Sequence, residues 1–373
     1  MSETEDSHRA AGSDEPAPGP YGTRGQRRFV AGVLVGAVAL LACIGAFSAV
    51  VDPYGFVGSA VFPTAVLSDR ATKACLAERL TVPPQIVVYG SSRAMKIDPA
   101  YVTRLTGLPS FNAAVSSATP ADAWAFANFL HDRFPGAGRR VLWLLDVESF
   151  RARPTDPGLL ETPALSRYFS ASARVGAKLD SAWTLLSWKA AQDAFRVATS
   201  GAASATTRVP CTYRTNGVTE YAPNGLRQWD FHDVAQARGT SLAAGIDQSI
   251  AEYRTIYTSG YPGLAPVPMR WFERTLAALH SWGARPVIVL TPVQPKLLRV
   301  IGPLGWQRRH AQVVRYLRGV EKRLPFTLLD ASHIATFGGS RRAFYDGVHM
   351  TPPNARRFVA WVIRRSGTSL TGR

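Results

Sequence analysis

Cysteine and acidic residues are scarce in this chain. Three cysteines in 373 residues are too few for a fold held together by many disulfides. Aspartate and glutamate number 26 against 43 lysines and arginines, so the formal net charge is +17. Apolar residues make up 46% of the chain, which excludes disordered and collagen-like proteins. A mean hydropathy of −0.03 excludes a protein made mostly of membrane-spanning segments.

Cofactor signatures are also missing. The sequence has no CxxC, HExxH or HxH spacing of the kind that ligates a metal. It has no glycine-rich loop of the Walker or dinucleotide-binding type either. We therefore predict neither a bound metal nor another cofactor.

One long apolar run stands near the N-terminus. Residues 29–51 read FVAGVLVGAVALLACIGAFSAVV and contain no charged side chain. A helix of this length spans a hydrocarbon core of about 30 Å. Arg24, Arg27 and Arg28 precede the run and Asp52 follows it, so the positive-inside rule places the N-terminus in the cytoplasm. We predict an uncleaved signal anchor; the alternatives are a cleaved signal peptide and a buried core helix.

This anchor predicts how the chain is divided. Residues 1–28 are expected to form a disordered cytoplasmic tail, 52–83 a juxtamembrane linker, 84–366 an exported domain and 367–373 a C-terminal tail. The protein would then be a single-pass membrane protein whose main domain lies outside the cytoplasm.

The basic excess falls on the exported side of the anchor. Residues 1–28 carry a net charge of −1, which leaves +18 on the rest of the chain. A surface of this charge attracts anionic lipid headgroups or an acidic polysaccharide, and the topology removes nucleic acid as a partner. In an oxidising compartment Cys75 and Cys211 could form one disulfide, and two unpaired buried thiols are the alternative.

Buried strands and helices alternate beyond residue 80. Continuous apolar runs, typical of strands buried on both faces, lie at 85–89, 110–115, 140–146, 285–291 and 326–330. Helical patterns lie between and after them, at 98–105, 120–134, 269–282, 306–324 and 353–364. This order predicts an α/β fold with a flavodoxin-like, doubly wound parallel sheet of about five strands. Functional residues are then expected at the carboxyl ends of the strands.

The alternation stops between about 151 and 265. This stretch combines helical patterns at 181–198 and 241–258 with turn signals at 215–217 and 223–225 that suggest a hairpin. We expect this insertion to lie over the carboxyl edge of the sheet as a cap or substrate platform.

Two motifs carry candidate chemistry. Ser92 ends the sequence Gly90-Ser91-Ser92, which joins the first strand to a helix. A serine on such a turn can attack a carbonyl while nearby backbone N–H groups face the oxyanion, although helix capping is the simpler interpretation. Near the C-terminus, Asp346 and His349 are spaced so that the carboxylate can orient the imidazole as a general base. A second Asp-x-x-His pair is the alternative, at Asp330 and His333.

Together these motifs resemble those of the SGNH (GDSL-like) hydrolase superfamily, over residues 84–150 and 266–366. The resemblance implies that Ser92 is the nucleophile, His349 the general base and Asp346 the acid that orients it. The family's second block, Asn-x-x-x-x-Gly, is similar to residues 112–117, which implies oxyanion-hole N–H groups at Ser92 and Ser117.

The chain departs from the family at its third block. Residues 144–148 read LLDVE where the family has Gly-x-Asn-Asp, so no asparagine is present to donate to the oxyanion. Arg93, Asn112 and Asp146 are candidate substrate-binding residues. The GSSR opening and the missing asparagine are similar to those of membrane-anchored SGNH-like proteins that move acyl groups onto polysaccharides of bacterial envelopes. This resemblance implies a single-pass protein of the bacterial inner (cytoplasmic) membrane with a periplasmic or otherwise extracytoplasmic domain.

Other conspicuous side chains receive ordinary interpretations. The scattered histidines, His131, His232, His280 and His310, are expected to be surface or core residues. Aromatic residues of the insertion could stack on sugar rings, but core packing is the default expectation for them; they are Trp183, Trp188, Trp229, Tyr213 and Tyr221.

The leading hypothesis is an exported serine esterase or O-acyltransferase. It would act on O-acyl groups, O-acetyl above all, of a cell-envelope polysaccharide or exopolysaccharide. Expected partners are an anionic or acetylated polysaccharide, the membrane, and a membrane acyltransferase or polysaccharide export complex. A non-catalytic glycan-binding or export accessory protein with the same fold is one alternative, and a lipase or thioesterase is another.

Overall fold

Five parallel strands form the central sheet in the computed structural model, which describes residues 24–53, 57, 62, 68–199, 206–215 and 218–371. In chain order the strands of the described residues are β1 (Ile86–Tyr89), β2 (Ser110–Asn112), β3 (Arg140–Leu145), β4 (Thr206–Val209), β5 (Thr212–Thr215), β6 (Val218–Thr219), β7 (Arg285–Leu290) and β8 (Thr327–Asp330). The central sheet has the order β2-β1-β3-β7-β8, and β4, β5 and β6 form a separate antiparallel sheet. The predicted α/β fold and its parallel sheet are confirmed.

The strand order places a topological switch point between β1 and β3. Ile86 pairs with Ser110 of β2 on one side and with Arg140 of β3 on the other. The chain leaves β1 towards one edge of the sheet and β3 towards the other, which is the order of flavodoxin-like doubly wound sheets. In such sheets ligands bind beyond the carboxyl ends of the strands at the switch point.

Helices cover the sheet and form the insertion. They are α1 (Arg24–Val51), α2 (Asp69–Glu78), α3 (Pro99–Thr106), α4 (Pro120–Arg133), α5 (Pro157–Glu161), α6 (Pro163–Ser166), α7 (Ala171–Leu185), α8 (Trp188–Thr199), α9 (Phe231–Ala237), α10 (Leu242–Thr255), α11 (Pro266–Ser281), α12 (Pro295–Ile301), α13 (Gln307–Glu321) and α14 (Pro352–Ser366). Proline stands in the first turn of α3, α4, α11 and α14, where its missing N–H costs no hydrogen bond.

The core lies on both faces of the central sheet. Residues of its three middle strands are fully buried, among them Val87, Leu142 and Val289. Helix α4 packs against α11, and α3 packs against α14. Because crossovers between parallel strands are right-handed, these two helix pairs lie on opposite faces of the sheet. Burial on both faces is the physical reason for the unbroken apolar runs in the sequence.

Helix α2 corrects the linker predicted at 52–83. It is buried in the core through Leu76 and Ala77, although its sequence DRATKACLAE is polar. Its two buried basic residues are satisfied: Arg70 pairs with Asp122 at 2.7 Å, and Lys73 Nζ donates to the carbonyl oxygen of Asn112 at 2.7 Å. Buried ion pairs of this kind are invisible to a hydropathy pattern, which is why the helix was not predicted.

A disulfide joins α2 to the insertion. The Sγ atoms of Cys75 and Cys211 are bonded, with their Cα atoms 5.5 Å apart. Cys211 lies in the two-residue turn between β4 and β5, with a positive φ of 67°. The covalent link therefore ties the small antiparallel sheet to the core.

Helix α1 contains the predicted anchor. The segment from Gly25 to Val51 is long and apolar enough to cross a membrane. An 18-residue window within it has a mean hydropathy of 2.5, and no part of that window is buried inside the protein. Residues 1–23 of the predicted tail lie outside the described residues, whereas 24–28 begin this helix. Of the predicted C-terminal tail, Leu370 is fully buried in the core, and 372–373 lie outside the described residues.

The insertion between β3 and β7 has two parts with different neighbours. Helices α7 and α8 replace the single helix predicted at 181–198, and both pack against α1. Helices α9 and α10 lie beside the loop that carries Asp346 and His349. The second turn signal forms a turn closed by an antiparallel bridge between Tyr221 and Arg227. Residues 216–217 of the first signal lie outside the described residues, between β5 and β6.

Candidate active site

A tight turn after β1 presents Ser92 at the carboxyl edge of the sheet. Gly90 has a φ of +152°, and a Cβ there would lie 2.7 Å from the Cβ of Ala94 and 3.0 Å from the carbonyl oxygen of Leu144. Only glycine fits this conformation and this contact. The hydroxyl of Ser91 caps the turn by accepting from the N–H of Arg93 at 3.2 Å. Ser92 therefore begins a short 3₁₀ helix, with its side chain half-buried.

The loop before α14 is held in a fixed shape. The N–H groups of Val348 and His349 both donate to Oδ1 of Asp346, at 2.8 Å each. The insertion contributes as well, because Ser249 of α10 accepts from the N–H of Gly347 at 3.0 Å. The carbonyl oxygen of Gly347 accepts from the N–H of Gln294 at 2.9 Å. These contacts orient both side chains of the Asp-x-x-His motif.

Ser92, His349 and Asp346 form one hydrogen-bonded row. Nδ1 of His349 lies 2.7 Å from Oδ2 of Asp346, and Nε2 lies 2.9 Å from Oγ of Ser92. With its proton on Nδ1 donated to the carboxylate, the imidazole accepts the serine hydroxyl proton at Nε2. This is the geometry of a serine nucleophile with its general base and orienting acid.

His232, which the sequence analysis treats as an ordinary residue, joins this row from α9. Its Nε2 lies 3.1 Å from Oδ2 of Asp346, and its ring centroid is 4.2 Å from that of His349. Burial opposes protonation of His232, but its hydrogen bonds to Asp230 and Asp346 prevail and raise its pKa to about 9. Burial alone would raise the pKa of Asp346. The hydrogen bonds that its carboxylate receives from His232 and His349 outweigh this effect and hold its pKa well below its usual range.

We expect the contribution of His232 to stability to depend on pH. Its pKa is about 9 in the folded protein and near 6.5 when unfolded, so its stabilising effect is complete below pH 6.5 and is lost as pH rises through 9. After allowance for solvent screening, the loss amounts to about 2 kcal/mol. Urea unfolding at a series of pH values, compared with His232→Gln, measures it. A pH-independent difference between the two proteins would contradict this assignment.

Arg93 lies behind Ser92 in a buried network. Its side chain donates to Thr291 Oγ1 at 3.0 Å, to Glu148 Oε2 at 3.0 Å and to the Tyr253 hydroxyl at 2.6 Å. Its Nε lies 3.5 Å from Oδ1 of Asp146. The residue is 5% exposed, so a substrate could bind the guanidinium only by displacing one of these partners. The network joins the carboxyl ends of β3 and β7 to the insertion.

Replacing Arg93 by methionine is expected to lower the free energy of unfolding by about 3 kcal/mol, because it leaves buried carboxylates without their cation. Adding Glu148→Leu should recover part of this loss, since one unpaired charge is then removed. Denaturant unfolding of the three proteins in detergent measures the effect. A raised KM with unchanged stability would instead indicate the substrate-binding role predicted for Arg93.

Asn112 and Asp146, the other candidate substrate ligands, are also engaged by the protein. Asn112 is fully buried; its Nδ2 donates to the carbonyl oxygens of Ala94 and Ile97, each at 2.9 Å. It thus fixes the segment after Ser92 rather than facing a substrate. The carboxylate of Asp146 accepts from the Thr291 hydroxyl at 2.8 Å and is 9% exposed.

Ser117 stands in the backbone conformation that favours glycine. Its φ is +51° and its side chain is exposed. The preceding residue is fixed from α2, because the N–H of Ser116 donates to Asp69 Oδ2 at 3.0 Å and its carbonyl oxygen accepts from Arg70 at 3.3 Å. The positive φ is a physical reason for a glycine at this position in the family pattern. A role for the N–H groups of Ser92 and Ser117 in binding an oxyanion stays a prediction.

The second Asp-x-x-His pair is not joined in the structure. Asp330 pairs with His310 at 2.8 Å, whereas the ring of His333 packs edge-on against Trp306. Burial works against ionisation of Asp330, but the hydrogen bonds from His310 and Ser332 prevail and lower its pKa to about 2. Among the insertion aromatics, the Tyr221 hydroxyl contacts Asp69, while Trp183 and Trp188 are exposed.

A cavity of about 240 Å³ lies beside the Ser–His–Asp row. It is formed between α9, α10 and the loop before α14, and its lining includes His232, Leu242, Ser249, Phe344 and His349. Asp346 and His349 line this cavity from the side of the insertion, whereas Ser92 is not among its lining residues.

The described residues also offer one group of three potential metal ligands. Atoms of His232, Asp346 and His349 lie within 4.8 Å of one another. Their separations of 2.7 and 3.1 Å are those of hydrogen bonds. A metal here would have to replace the contact that orients His349, so the arrangement fits proton transfer better than metal binding.

Comparison with models of known protein families finds no match for this chain, and a search of curated proteins finds no similar sequence.

Proposed function

We propose that the protein is a membrane-anchored, extracytoplasmic serine esterase or O-acyltransferase of the SGNH type. Its substrate would be O-acyl groups, O-acetyl above all, of an envelope polysaccharide or exopolysaccharide. The single observation that carries this proposal is the row formed by Ser92, His349 and Asp346, with contacts of 2.9 and 2.7 Å. The resemblance of the segments at 90–92, 112–117 and 346–349 to the SGNH pattern supports it, as does the flavodoxin-like strand order.

In the proposed reaction, Ser92 Oγ bonds to the acyl carbonyl carbon while Nε2 of His349 takes the hydroxyl proton. The bond to the sugar oxygen then breaks, and His349 returns its proton to that oxygen. Water or a second sugar hydroxyl attacks the acyl-enzyme by the same route in reverse, giving hydrolysis or transfer. Asp346 stabilises the imidazolium throughout.

The membrane topology belongs to the proposal as well. The apolar helix α1 and the three arginines before residue 29 support an inside N-terminus and an exported domain. The disulfide between Cys75 and Cys211 supports an oxidising compartment. The net charge of +18 beyond residue 28 supports an anionic glycan as the substrate.

Turnover of an acetyl ester and acetylation of a glycan should be assayed with the wild-type chain, Ser92→Ala and His349→Ala. We expect both variants to lose whichever activity the wild type has while keeping its circular dichroism spectrum. Unchanged activity in either folded variant would refute the proposal. Adding acceptor oligosaccharide to the ester assay separates transfer from hydrolysis.

A non-catalytic glycan-binding protein is the second candidate, and one observation favours it. Where the SGNH pattern has an oxyanion-donating asparagine, this chain has Asp146, whose carboxylate accepts hydrogen bonds and is engaged with Thr291. Loss of one such donor lowers a rate by about 10²- to 10³-fold. Glycan binding by the wild type without reaction of Ser92 with a fluorophosphonate would support this candidate.

A further inference from the structure

The helical hairpin of α7 and α8 lies directly against the anchor helix. A Cβ at Gly45 would be 2.6 Å from Cδ2 of Leu186, so the turn between the two helices packs on the anchor backbone. Further along, Val51 is buried together with Ala194 and Val197 of α8. Helices α1 and α8 thus run side by side in the same direction.

These two contacts give the depth of the hairpin relative to the anchor. Gly45 and Val51 are six residues apart, which is about 9 Å along a helix. The apolar run of the anchor ends at Val51, since Asp52 follows it. In a bilayer spanned by α1, Leu186 and its turn therefore lie about 9 Å below the end of the span.

The surface around this turn is apolar and aromatic. Trp183 precedes the turn and is 73% exposed, and Trp188 follows it and is 71% exposed. Further exposed apolar side chains continue along the two helices, namely Val175, Leu179 and Phe195. Tryptophan and other amphipathic aromatic rings favour the boundary between headgroups and acyl chains.

The charges near the turn are consistent with this environment. No charged residue occurs between Ser181 and Trp188. Lys189 extends towards Asp193, one helical turn further from the hairpin turn, with Nζ 3.0 Å from Oδ2. Arg196 pairs with the same carboxylate at 3.1 Å. Lys189 and Arg196 thus share the one carboxylate of Asp193, which leaves a net charge of +1 at the shallower level, as expected for residues that extend towards a headgroup layer.

We infer that the α7–α8 hairpin inserts turn-first into the bilayer interface beside the anchor, with Trp183 and Trp188 among the acyl chains. The occupant of this apolar surface is lipid of the membrane that α1 spans. The inference rests on the spanning anchor and is independent of any chemistry at Ser92. It gives the domain a second membrane contact about two helix diameters wide.

Quenching by lipid tests the inference in the full chain. Single cysteines are placed at Trp183 and Trp188 in a Cys43→Ala background, labelled with an environment-sensitive dye, and reconstituted in vesicles of phosphatidylcholine and phosphatidylglycerol. Lipid that carries bromine on its acyl chains should quench the dyes at Trp183 and Trp188 about as much as it quenches a dye at Val38 within the anchor. A label at the exposed Arg356 of α14 should keep its emission.

Each outcome decides the inference. The inference is overturned if the label at Val38 is quenched while the labels at Trp183 and Trp188 lose no more emission than the label at Arg356. Absence of quenching at Val38 removes the spanning anchor and overturns it as well. If the cysteine variants do not fold, the double variant Trp183→Phe/Trp188→Phe provides the test. Its intrinsic tryptophan emission should be quenched by the brominated lipid less than that of the wild type.

Discussion

Ser92→Ala is expected to lower acyl-ester turnover by about 10⁴-fold or more and to prevent covalent labelling by a fluorophosphonate. The reason is the 2.9 Å contact between Ser92 Oγ and His349 Nε2, which is the route for the hydroxyl proton during attack. Removing the hydroxyl leaves the binding surface intact but removes the nucleophile. Mass spectrometry of the labelled protein locates the modified residue.

Ser91→Ala is the matched control for this prediction. Its hydroxyl caps the 3₁₀ helix by accepting from the N–H of Arg93, so its loss should cost about 1 kcal/mol of stability. Labelling at Ser92 should continue in this variant. Two results would contradict the assignment of the nucleophile: fluorophosphonate labelling that persists in Ser92→Ala, or labelling of the wild type at Ser91.

The second large effect is expected from the disulfide. Cys75 and Cys211 are separated by 136 positions, and closing a loop of this length stabilises a fold by about 5 kcal/mol in the chain-entropy model. The double variant Cys75→Ala/Cys211→Ala should therefore show a correspondingly lower free energy of unfolding. Urea unfolding of the full chain in detergent, followed by tryptophan fluorescence, measures the change.

Cys43→Ala provides the control for this experiment. Cys43 is a free, exposed cysteine in the anchor helix, so its replacement should leave the unfolding of the domain unchanged. A double variant within about 1 kcal/mol of the wild type would show that the link does not constrain the unfolded chain.

The central sheet could be predicted from the sequence because its signal is local. Unbroken apolar runs predicted the five strands, and each begins and ends within a few residues of its position in the structure. The turn at Gly90 and the Asp-x-x-His motif are also local patterns, so Ser92, Asp346 and His349 could be selected before their contacts were known.

The missed features depend on contacts between distant residues. His232 carries no motif of its own, and only the packing of α9 brings it 3.1 Å from Asp346. Arg93 was expected to bind a substrate, whereas its partners come from the carboxyl ends of β3 and β7 and from α10. Such partners follow from the way the insertion folds back on the sheet, which a single sequence does not specify.

The contacts of Asp346 also affect when the proposed activity can arise during folding. Its carboxylate is approached by His349 from its own loop and by His232 from the insertion. Ser249 of the insertion also binds the same loop through Gly347. A chain whose sheet has formed but whose insertion has not docked would therefore lack part of the support of His349, the proposed general base. The return of activity on refolding should accordingly report the docking of the insertion, and should lag behind the return of sheet structure.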